Sequence, residues 1–566
     1  MGFQEVCEMA SSFKGEIIMI KTRETEIGYV IEVSGDRAVM ELTVDTTCPL
    51  DGDYYPGQPG SHVKIPFRDH NIIGMVANIR MLDITPSTST DQEASSETIS
   101  KKVAECLLIG TLSHKGQFNR GVAIYPNVGQ KVKMVGLEEL KEIFSEFVSQ
   151  DFSFSCLAQA EDQRAFIHVN RFFGRHSAIL GTTGSGKSCT VASILQQTIN
   201  KYPDTHILVI DLHGEYASAF PNATQLIEAD KVELPYWLLN FEEFQDLAVD
   251  VNEFTAHNQI AGLRDALLQA RQNTDEEEKL GLGNAVTVDS PIYFDLKGML
   301  QQIRDWNNEM VPGASKPKKG PLNGVFDRFL IRFDSKINDP RFQFMFSPTN
   351  YSGNASLPQL LKEYLSIDTG NRMTIVDLSG IPFDAVGVVV SVISRVVYEF
   401  NFWNPNRREF PILMVFEEAH NYIPNRPEAK FSAARMAVER LAKEGRKYGI
   451  GIMVVSQRPK ELSETVISQC NTFITMRLTN PEDQSYVHRL VPDSLAGLMN
   501  MLPSLRTGEA LIIGDSVVMP TRVLIDFPNP EPKSADVEFA KHWAKGIIKM
   551  DVDRVVKRWC ARRKDL

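Results

Sequence analysis

The chain has 566 residues, of which 43% are hydrophobic and 23% are charged, so it has the composition of a globular protein and length for two to four domains. Its formal net charge is −12, so the chain lacks the excess of basic residues that is typical of nucleic-acid-binding proteins. A ring-shaped protein, however, can keep basic residues in a central channel and be acidic outside. The seven cysteines are scattered without a Cys-x-x-Cys pair, which argues against a zinc site or a disulfide framework and favours a reducing, cytoplasmic compartment.

The first 136 residues contain many short strand-like runs separated by Gly and Pro turns. Met1–Lys14 has no apolar core of signal-peptide length. Val30–Val33 and Ala38–Val44 flank a Ser-Gly-Asp-Arg turn and so predict a hairpin. Further strand-like runs are Val63–Phe67, Ile72–Met81, Glu105–Leu112 and Gly121–Val135. The pattern predicts a small β-barrel over residues 1–136, and the Ser-, Thr- and acid-rich run Thr85–Lys101 predicts a mobile loop within it.

From Leu137 onward the pattern changes to alternating helices and strands. Leu137–Val148 has the apolar spacing of a helix, and strand candidates separated by helical segments follow from Arg171. The strand candidates are Ser177–Leu180, His206–Asp211, Met373–Leu378, Ile412–Phe416, Gly451–Ser456, Thr472–Leu478 and Ala510–Ile513. This alternation predicts an α/β fold with an open, mostly parallel sheet over residues 137–233 and 364–534.

Residues 234–363 interrupt this core as a mostly helical insertion. Within it, the charged stretch Thr274–Lys279 and the Pro/Gly/Lys-rich run Val311–Gly324 are predicted to be loops that offer no chemistry of their own. The longest apolar run, Val386–Phe400, is interrupted by polar residues and is short for a bilayer, so we predict a buried helix and no membrane contact. Residues 535–566 are predicted to form a last, C-terminal helix with a basic patch. The basic residues of this patch are Arg554, Lys557, Arg558, Arg562, Arg563 and Lys564.

The run from Gly181 to Ser188 fits the P-loop pattern Gly-x-x-x-x-Gly-Lys-[Ser/Thr] between a buried strand and an amphipathic helix. Its glycines let successive backbone N–H groups point at phosphate oxygens, Lys187 adds a positive charge near the β- and γ-phosphates, and the Ser188 hydroxyl can ligate Mg²⁺. The residues assigned to nucleotide binding are Gly181, Thr182, Thr183, Gly184, Ser185, Gly186, Lys187, Ser188 and Cys189. The run therefore predicts a site for a nucleotide with Mg²⁺.

Two strand ends supply the acidic residues that a P-loop needs to orient Mg²⁺ and polarise an attacking water. At one of them, Glu417 is predicted to meet the Mg²⁺ shell and Glu418 to be the base or water-orienting group. The alternative is that this pair only begins a helix at Ala419 and favours its dipole. At the other, Asp211 and Glu215 could join the metal shell or the base network, or could equally satisfy local backbone groups.

Gln457 and three arginines complete the candidate site. Gln457 follows a strand beside the P-loop, where it could contact the γ-phosphate or water or could belong to a polar loop without a role. Phosphoryl transfer gains from an arginine that a neighbouring subunit often supplies, and Arg440 and Arg446 are candidates. Six helical residues place these two about 240° apart, so both can aim at one phosphate only if the helix has ended between them. We slightly favour Arg446, although a cation in the last helical turn also suits the helix dipole. Arg175 could reach a nucleotide from either subunit.

Six segments together resemble the HerA ATPases. They are Arg175–Ser188, Asp211–Tyr216, Asp377–Pro382, Glu417–Pro424, Glu444–Gly449 and Ser456–Pro459. The resemblance covers nearly the whole chain, because the N-terminal strands resemble the HAS barrel that precedes the motor in that family. It implies a RecA-like P-loop ATPase core after a small barrel.

The resemblance also implies a homohexamer of the HerA/FtsK branch, with ATP and Mg²⁺ at subunit interfaces and double-stranded DNA in the central channel. It implies the roles given above to Lys187, Ser188, Glu418 and Gln457, and an interface arginine in the region from Arg440 to Arg446. A separate NurA-like nuclease, or a Sir2-like or other defence effector, is expected on the barrel side, in DNA-end processing or in bacterial anti-phage defence.

Three functions are compatible with these residues. The first is an ATP-driven DNA translocase or helicase that feeds or activates a partner effector. The second is an ATP-gated scaffold ring that assembles and regulates an effector with little translocation. A small-molecule P-loop kinase is disfavoured by the barrel and by the large insertion.

Overall fold

The computed structural model describes residues 25–44, 57–84, 99–250, 252–313, 316–425, 432–491, 495–534, 537–545 and 550–561. They belong to two compact units. The barrel unit comprises Met1–Ile167, His488–Pro503 and Val517–Val523, and the sheet unit comprises His168–Val487, Ser504–Ser516 and Leu524–Leu566.

The strands are numbered in chain order. They are β1 Glu26–Ser34, β2 Arg37–Leu42, β3 His62–Phe67, β4 His70–Ile84, β5 Ile99–Ser113, β6 Phe118–Arg120, β7 Lys131–Met134, β8 Ser155–Leu157, β9 Ala160–Arg164, β10 Ser177–Leu180, β11 His206–Asp211, β12 Thr224–Ile227, β13 Met310–Val311, β14 Lys318–Lys319, β15 Met373–Asp377, β16 Ile412–Phe416, β17 Ile450–Ser456, β18 Thr472–Thr475, β19 Glu509–Gly514 and β20 Thr521–Ile525.

The helices are numbered in the same way. They are α1 Leu137–Val148, α2 Val169–Gly174, α3 Lys187–Lys201, α4 Phe241–Ala248, α5 Ala256–Glu278, α6 Leu296–Asn308, α7 Asp327–Ile337, α8 Gln343–Phe346, α9 Leu357–Tyr364, α10 Phe383–Trp403, α11 Ser432–Glu444, α12 Glu464–Ser468, α13 Pro481–Leu490, α14 Ala496–Met499, α15 Phe539–Ala544 and α16 Val552–Ala561.

Six antiparallel strands close into the predicted barrel, in the order β2-β1-β7-β3-β4-β5 and back to β2. Alternate residues of each strand point inward, and side chains such as Val30, Met40 and Ile65 fill the interior. The predicted hairpin is confirmed, with Ser34 paired to Arg37. Gly35 in its turn has a φ of 57°, a conformation that glycine adopts without the steric cost a Cβ would bring.

Two predictions within the barrel were partly wrong. The predicted loop Thr85–Lys101 already becomes β5 at Ile99, and its residues 85–98 lie outside the described part of the chain. The run Gly121–Val135 is strand only over β7. Gly121 and Gly129 have φ values of 91° and 87°, which interrupt a pleated ladder.

The barrel unit extends beyond the barrel itself. Helix α1 is confirmed with the predicted bounds, and it buries Leu140, Ile143, Phe144 and Phe147. Its start is fixed because the Gly136 N–H donates to Glu139 Oε2 at 2.9 Å. The hairpin of β8 and β9 follows, and the first of the unit's three segments ends at Ile167.

The sheet unit is built on parallel strands in the order β12-β15-β11-β16-β17-β10-β18, with β19 antiparallel to β18. Strands β16 and β17 are buried along their whole length, which explains why they read as continuous apolar runs. All seven predicted strands are present, and three have the predicted bounds. Strand β12 was missed because its Thr-Gln-Leu-Ile sequence has too few apolar residues.

The insertion is mostly helical, as predicted, but neither of its predicted loops is only a loop. Thr274–Glu278 is the last part of α5. Within Val311–Gly324, β14 pairs with β13 in a short antiparallel ladder, with residues 314 and 315 outside the described part. Acidic runs are compatible with a solvent-facing helix, which is why composition alone misled the prediction.

The long apolar run lies in α10, where Val389, Val390 and Val397 are buried. Among the described residues, no helix combines the length and apolarity needed to cross a membrane. The predicted C-terminal helix is instead two helices, α15 and α16, and its basic residues 562–564 lie outside the described part.

Candidate functional site

The carboxyl ends of four neighbouring strands meet at one edge of the sheet. The register pairs Leu180 of β10 with Ser456 of β17, and Phe416 of β16 with both Val454 and Ile210. The residues that follow these strands are the glycine-rich run, Gln457, the two glutamates and the turn after Asp211. In parallel α/β sheets this edge is where ligands bind, so the fold brings these candidate groups together.

The glycine-rich run forms a tight loop before α3. Gly184 and Gly186 have φ values of 72° and 105°. A Cβ on Gly181 would lie 2.6 Å from Ser185 Oγ, and one on Gly186 would lie 3.2 Å from Met476 Cε. The backbone N–H groups of the loop therefore lie beside the N-terminus of a 15-residue helix, an arrangement that binds phosphate. Ser188 lies in the first turn of this helix.

Lys187 is buried against the acidic pair. Its side chain is 8% exposed, its Nζ lies 3.8 Å from Glu418 Oε1, and it donates to the Thr182 carbonyl at 3.4 Å. Burial lowers the pKa of Lys187, while Glu418, Glu417 and Glu215 raise it. The ammonium group thus already faces the negative charge of these glutamates, and a bound phosphate would add further negative charge beside it.

Glu417 and Glu418 are buried carboxyls of like charge. Burial first, then Glu418, Asp211 and Glu215, raise the pKa of Glu417 well above its ordinary value. Burial also raises the pKa of Glu418, against the effect of Lys187. Within the described part of the chain, Glu417 Oε2 and Glu215 Oε2 are buried oxygens without a hydrogen-bond partner. Such oxygens fit a divalent cation with its waters, because hard cations prefer carboxylate ligands.

Glu418 has a second neighbour, His420, to which the sequence analysis assigned no role. His420 Nδ1 lies 3.3 Å from Glu418 Oε2 and 3.2 Å from Ser456 Oγ. Burial lowers the pKa of His420 to about 4, so its ring is neutral at physiological pH. Glu418 also has a φ of 44°, a strained conformation for a residue with a side chain. The backbone therefore holds this carboxyl in place between Lys187 and His420.

Asp211 has the local role that the sequence analysis left open. Its Oδ1 accepts hydrogen bonds from the N–H groups of Gly214 and His213 at 2.8 and 3.3 Å, and its Oδ2 accepts one from Tyr216 at 3.0 Å. Both oxygens are thus bound to the backbone of the turn. Among the described residues, Glu215 keeps an unbonded buried oxygen, Oε2, so Glu215 fits the cation shell better than the predicted Asp211.

Gln457 lies against the P-loop, as its position after β17 predicts. Its Oε1 accepts a hydrogen bond from Thr183 Oγ1 at 2.5 Å, in a cleft of about 750 Å³. Arg477 lines the same cleft and donates to the Gly184 carbonyl at 3.4 Å. Sequence reasoning missed Arg477 because the strand was predicted to run to Leu478, whereas β18 ends at Thr475 and leaves Arg477 just beyond it, at the same edge.

The candidate arginines lie away from this cleft. Helix α11 ends at Glu444, so Arg440 and Arg446 are not on one continuous helix. Arg440 lies 3.8 Å from Glu399 Oε1 and 3.9 Å from Glu444 Oε2, with its guanidinium 4.2 Å from the ring centroid of Tyr398. The exposed Arg446 has no side-chain hydrogen bond or ion pair among the described residues. Of the two, Arg446 therefore has its guanidinium available for a partner.

Arg175 precedes β10, at the opposite edge of the sheet from the P-loop. It forms an ion pair of 2.7 Å with Asp515. This ion pair holds its guanidinium away from the nucleotide site of its own chain.

Comparison with known proteins identifies the family. The family model described as "Helicase HerA, central domain" matches residues 154–397. The DNA double-strand break repair helicase HerA of Sulfolobus acidocaldarius is 30% identical over 94% of this chain and 99% of its own length. The chain belongs to the HerA family. It is accordingly a RecA-like P-loop ATPase.

Other relatives span a similar share of this HerA-family chain. A probable helicase of Methanocaldococcus jannaschii is 28% identical over 92% of this chain and 94% of its own length. Among solved structures, VirB4 of Thermoanaerobacter pseudethanolicus is 15% identical with a TM-score of 0.44, over 66% of this chain and 96% of that chain.

We expect Glu417→Gln to stabilise the nucleotide-free HerA-family protein at neutral pH. Because the folded state raises the pKa of Glu417, it binds more protons than the unfolded state, and the stability conferred by this group is lost as pH rises through the raised pKa. An amide removes that loss, and we expect the midpoint of thermal unfolding at pH 8 to rise by about 2 °C or more. Differential scanning calorimetry would measure it.

Glu138→Gln is the matched control, because the Glu138 side chain is 81% exposed. We expect it to leave the midpoint unchanged. A midpoint for Glu417→Gln that equals or falls below that of the parent at pH 8 would show that burial of this carboxylate costs nothing.

Proposed function

We propose that this chain is an ATP-dependent duplex-DNA translocase or helicase that assembles as a hexameric ring and feeds or activates a separate effector. The observation that supports assembly as a ring is the position of Arg446. It precedes β17, at the amino edge of the sheet, whereas the P-loop lies at the carboxyl edge. The seven residues of β17 span about 23 Å, so Arg446 is too far to serve the nucleotide of its own chain. A neighbouring chain is the partner that its position fits.

The geometry supports the following roles within one ATP site. Lys187 binds the terminal phosphates, and Glu418, held beside Lys187 and the neutral His420, accepts the proton of the attacking water. Gln457, fixed on Thr183, orients that water. Ser188, Glu417 and Glu215 would hold Mg²⁺. When bound, this ion neutralises charge on the β- and γ-phosphates.

DNA as the substrate rests on the relatives. Three of them, from Sulfolobus acidocaldarius, Sulfurisphaera tokodaii and Saccharolobus solfataricus, carry the name DNA double-strand break repair helicase HerA. We propose the same class of substrate here, in the channel of the ring. A nuclease or a defence effector on the barrel side, acting in DNA-end processing or anti-phage defence, completes the proposal.

Glu418→Gln tests the function directly. We expect steady-state ATP hydrolysis, stimulated by duplex DNA in the parent, to fall about 10²-fold, because the amide keeps the shape of the carboxylate but accepts no proton. Displacement of a triplex-forming strand from duplex DNA should be lost in parallel, while binding of a fluorescent ATP analogue is kept.

The same assays separate the translocase from an ATP-gated scaffold. A scaffold would hydrolyse ATP slowly with or without DNA and displace no third strand even in the parent. Hydrolysis that survives Glu418→Gln at the parental rate would contradict the assignment of the base. Glu242→Gln, in the insertion, is the matched control and should change neither rate.

A further inference from the structure

Arg446 lies in a short turn that several contacts hold in place. The turn is a 3₁₀ segment, Gly445–Tyr448, between α11 and β17. Asn401 Nδ2 donates to the Tyr448 carbonyl at 2.8 Å and so fixes the far end of the turn. At the near end, the Tyr398 hydroxyl donates to Glu444 Oε2 at 2.6 Å, and His176 bonds the backbone of the last turn of α11 at Ala442.

His176 connects three elements through one imidazole ring. It lies between α2 and β10, is 3% exposed and has a φ of 58°. Its Nδ1 accepts a hydrogen bond from the Ile452 N–H of β17 at 3.1 Å. Because Nδ1 is the acceptor, the proton of the neutral ring is on Nε2, which lies 3.0 Å from the Ala442 carbonyl and donates to it. The two bonds therefore define the tautomer.

These bonds join both sides of the arginine turn. Ala442 precedes Arg446 by four residues at the end of α11, and Ile452 follows it by six in β17. Burial is the largest cause that lowers the pKa of His176, to about 4, and the nearby Arg446 lowers it too, which places the ring close to that charge. The neutral ring thus keeps this hydrogen-bond pattern throughout the physiological pH range.

A positive φ at a non-glycine residue has a structural cost, and surrounding contacts must outweigh it. Here the conformation turns the side chain of His176 into the sheet unit, between α11 and β17. A role in packing alone would be met by an apolar residue. An imidazole with both nitrogens engaged instead fixes the distance between the end of α11 and the start of β17.

We propose that His176 is a positioning residue for ATP hydrolysis in the neighbouring subunit, because its two hydrogen bonds set the direction in which the Arg446 side chain extends from the 3₁₀ turn. This inference rests on the proposed function, in which Arg446 serves a neighbour. His176 precedes β10, at the opposite edge of the sheet from the P-loop, so its effect passes through the arginine.

His176→Asn isolates one of the two bonds. Asparagine tolerates a positive φ, and its Oδ1 takes the place of Nδ1 as acceptor for Ile452, but it is too short to reach the Ala442 carbonyl. We expect kcat for ATP hydrolysis to fall about 10- to 100-fold, the effect of a misplaced catalytic group, while KM for ATP stays within about twofold. His176→Gln can reach the Ala442 carbonyl and should recover part of the loss.

The deciding measurement is the double variant His176→Asn/Arg446→Ala. If His176 acts through Arg446, the double variant should be no slower than Arg446→Ala alone in single-turnover hydrolysis. Additive losses would overturn the inference, as would a His176→Asn protein with parental kcat. Loss of the ring in His176→Asn, when rings of Arg446→Ala stay intact by size-exclusion chromatography, would show a role in folding and would overturn it as well.

The outcomes also separate this inference from the proposed function. ATP hydrolysis by Arg446→Ala at the parental rate would refute the proposed role of Arg446. Slow hydrolysis by Arg446→Ala together with a parental rate for His176→Asn would refute only the proposed role of His176. His62→Asn is the matched control. His62 is a buried histidine of the barrel unit, and burial lowers its pKa to about 4, as it does for His176. It should leave kcat unchanged.

Discussion

Replacement of Lys187 by alanine should abolish ATP hydrolysis, with a loss of about 10³-fold or more in kcat/KM. The ammonium group is buried between the P-loop and the acidic pair, so no water-exposed cation can take its place. Its removal leaves Glu417 and Glu418 facing a triphosphate without the intervening positive charge. We therefore expect the variant to lose nucleotide affinity as well as turnover, measured with a fluorescent ATP analogue and by phosphate release.

Lys187→Arg is the informative companion. It keeps the charge, but a guanidinium does not fit a site in which the lysine side chain is 8% exposed. We expect it to be nearly as inactive as the alanine variant, whereas Lys297→Ala, at an exposed position of α6, should behave as the parent. ATP turnover by Lys187→Ala within about tenfold of the parental rate would contradict the assignment of the site.

Replacement of Arg446 by alanine should slow hydrolysis about 10³-fold without weakening ATP binding, because an arginine supplied in trans acts on the charge that develops during transfer. Arg440→Ala is the matched comparison on the preceding helix. Since Arg440 is engaged by Glu399, Glu444 and Tyr398, we expect its removal to cost little hydrolysis.

Mixed rings distinguish a trans arginine from a structural one. Arg446→Ala subunits retain an intact P-loop, and Lys187→Ala subunits retain an intact arginine. Rings assembled from both should regain hydrolysis at interfaces where the two meet. If mixed rings form, as shown by mass photometry with distinguishable tags, and stay as slow as either parent ring, Arg446 does not act across the interface.

The strands that support this site are the part that the sequence predicts best. β10, β11 and β16 have the predicted bounds, because each is a buried apolar run that ends at a polar residue or a glycine. The P-loop and the two glutamates come directly after the ends of these strands, so their positions could be predicted too. The sequence alone is sufficient to locate functional residues that directly follow a strand.

The rest of the site depends on contacts between distant segments. Asp211 and Glu215 are equivalent candidates on paper, and only the folded turn shows that the first binds backbone while the second keeps a free oxygen. Helical spacing gives the angle between Arg440 and Arg446 but not the residue at which α11 ends. His420, Arg477 and His176 each gain significance from a partner more than 30 residues away, or from a backbone angle that composition does not encode.

The closed barrel limits how the proposed effector can bind to it. Each of its six strands is hydrogen-bonded to two others, although Asn78 to Ile84 of β4 extend past β3 and pair only with β5. In the closed part of the barrel, a partner that adds a strand of its own would first have to break a ladder that already exists. We expect the proposed effector to recognise side chains and turns on this part of the barrel surface, so that point substitutions there change its binding while the barrel backbone stays the same.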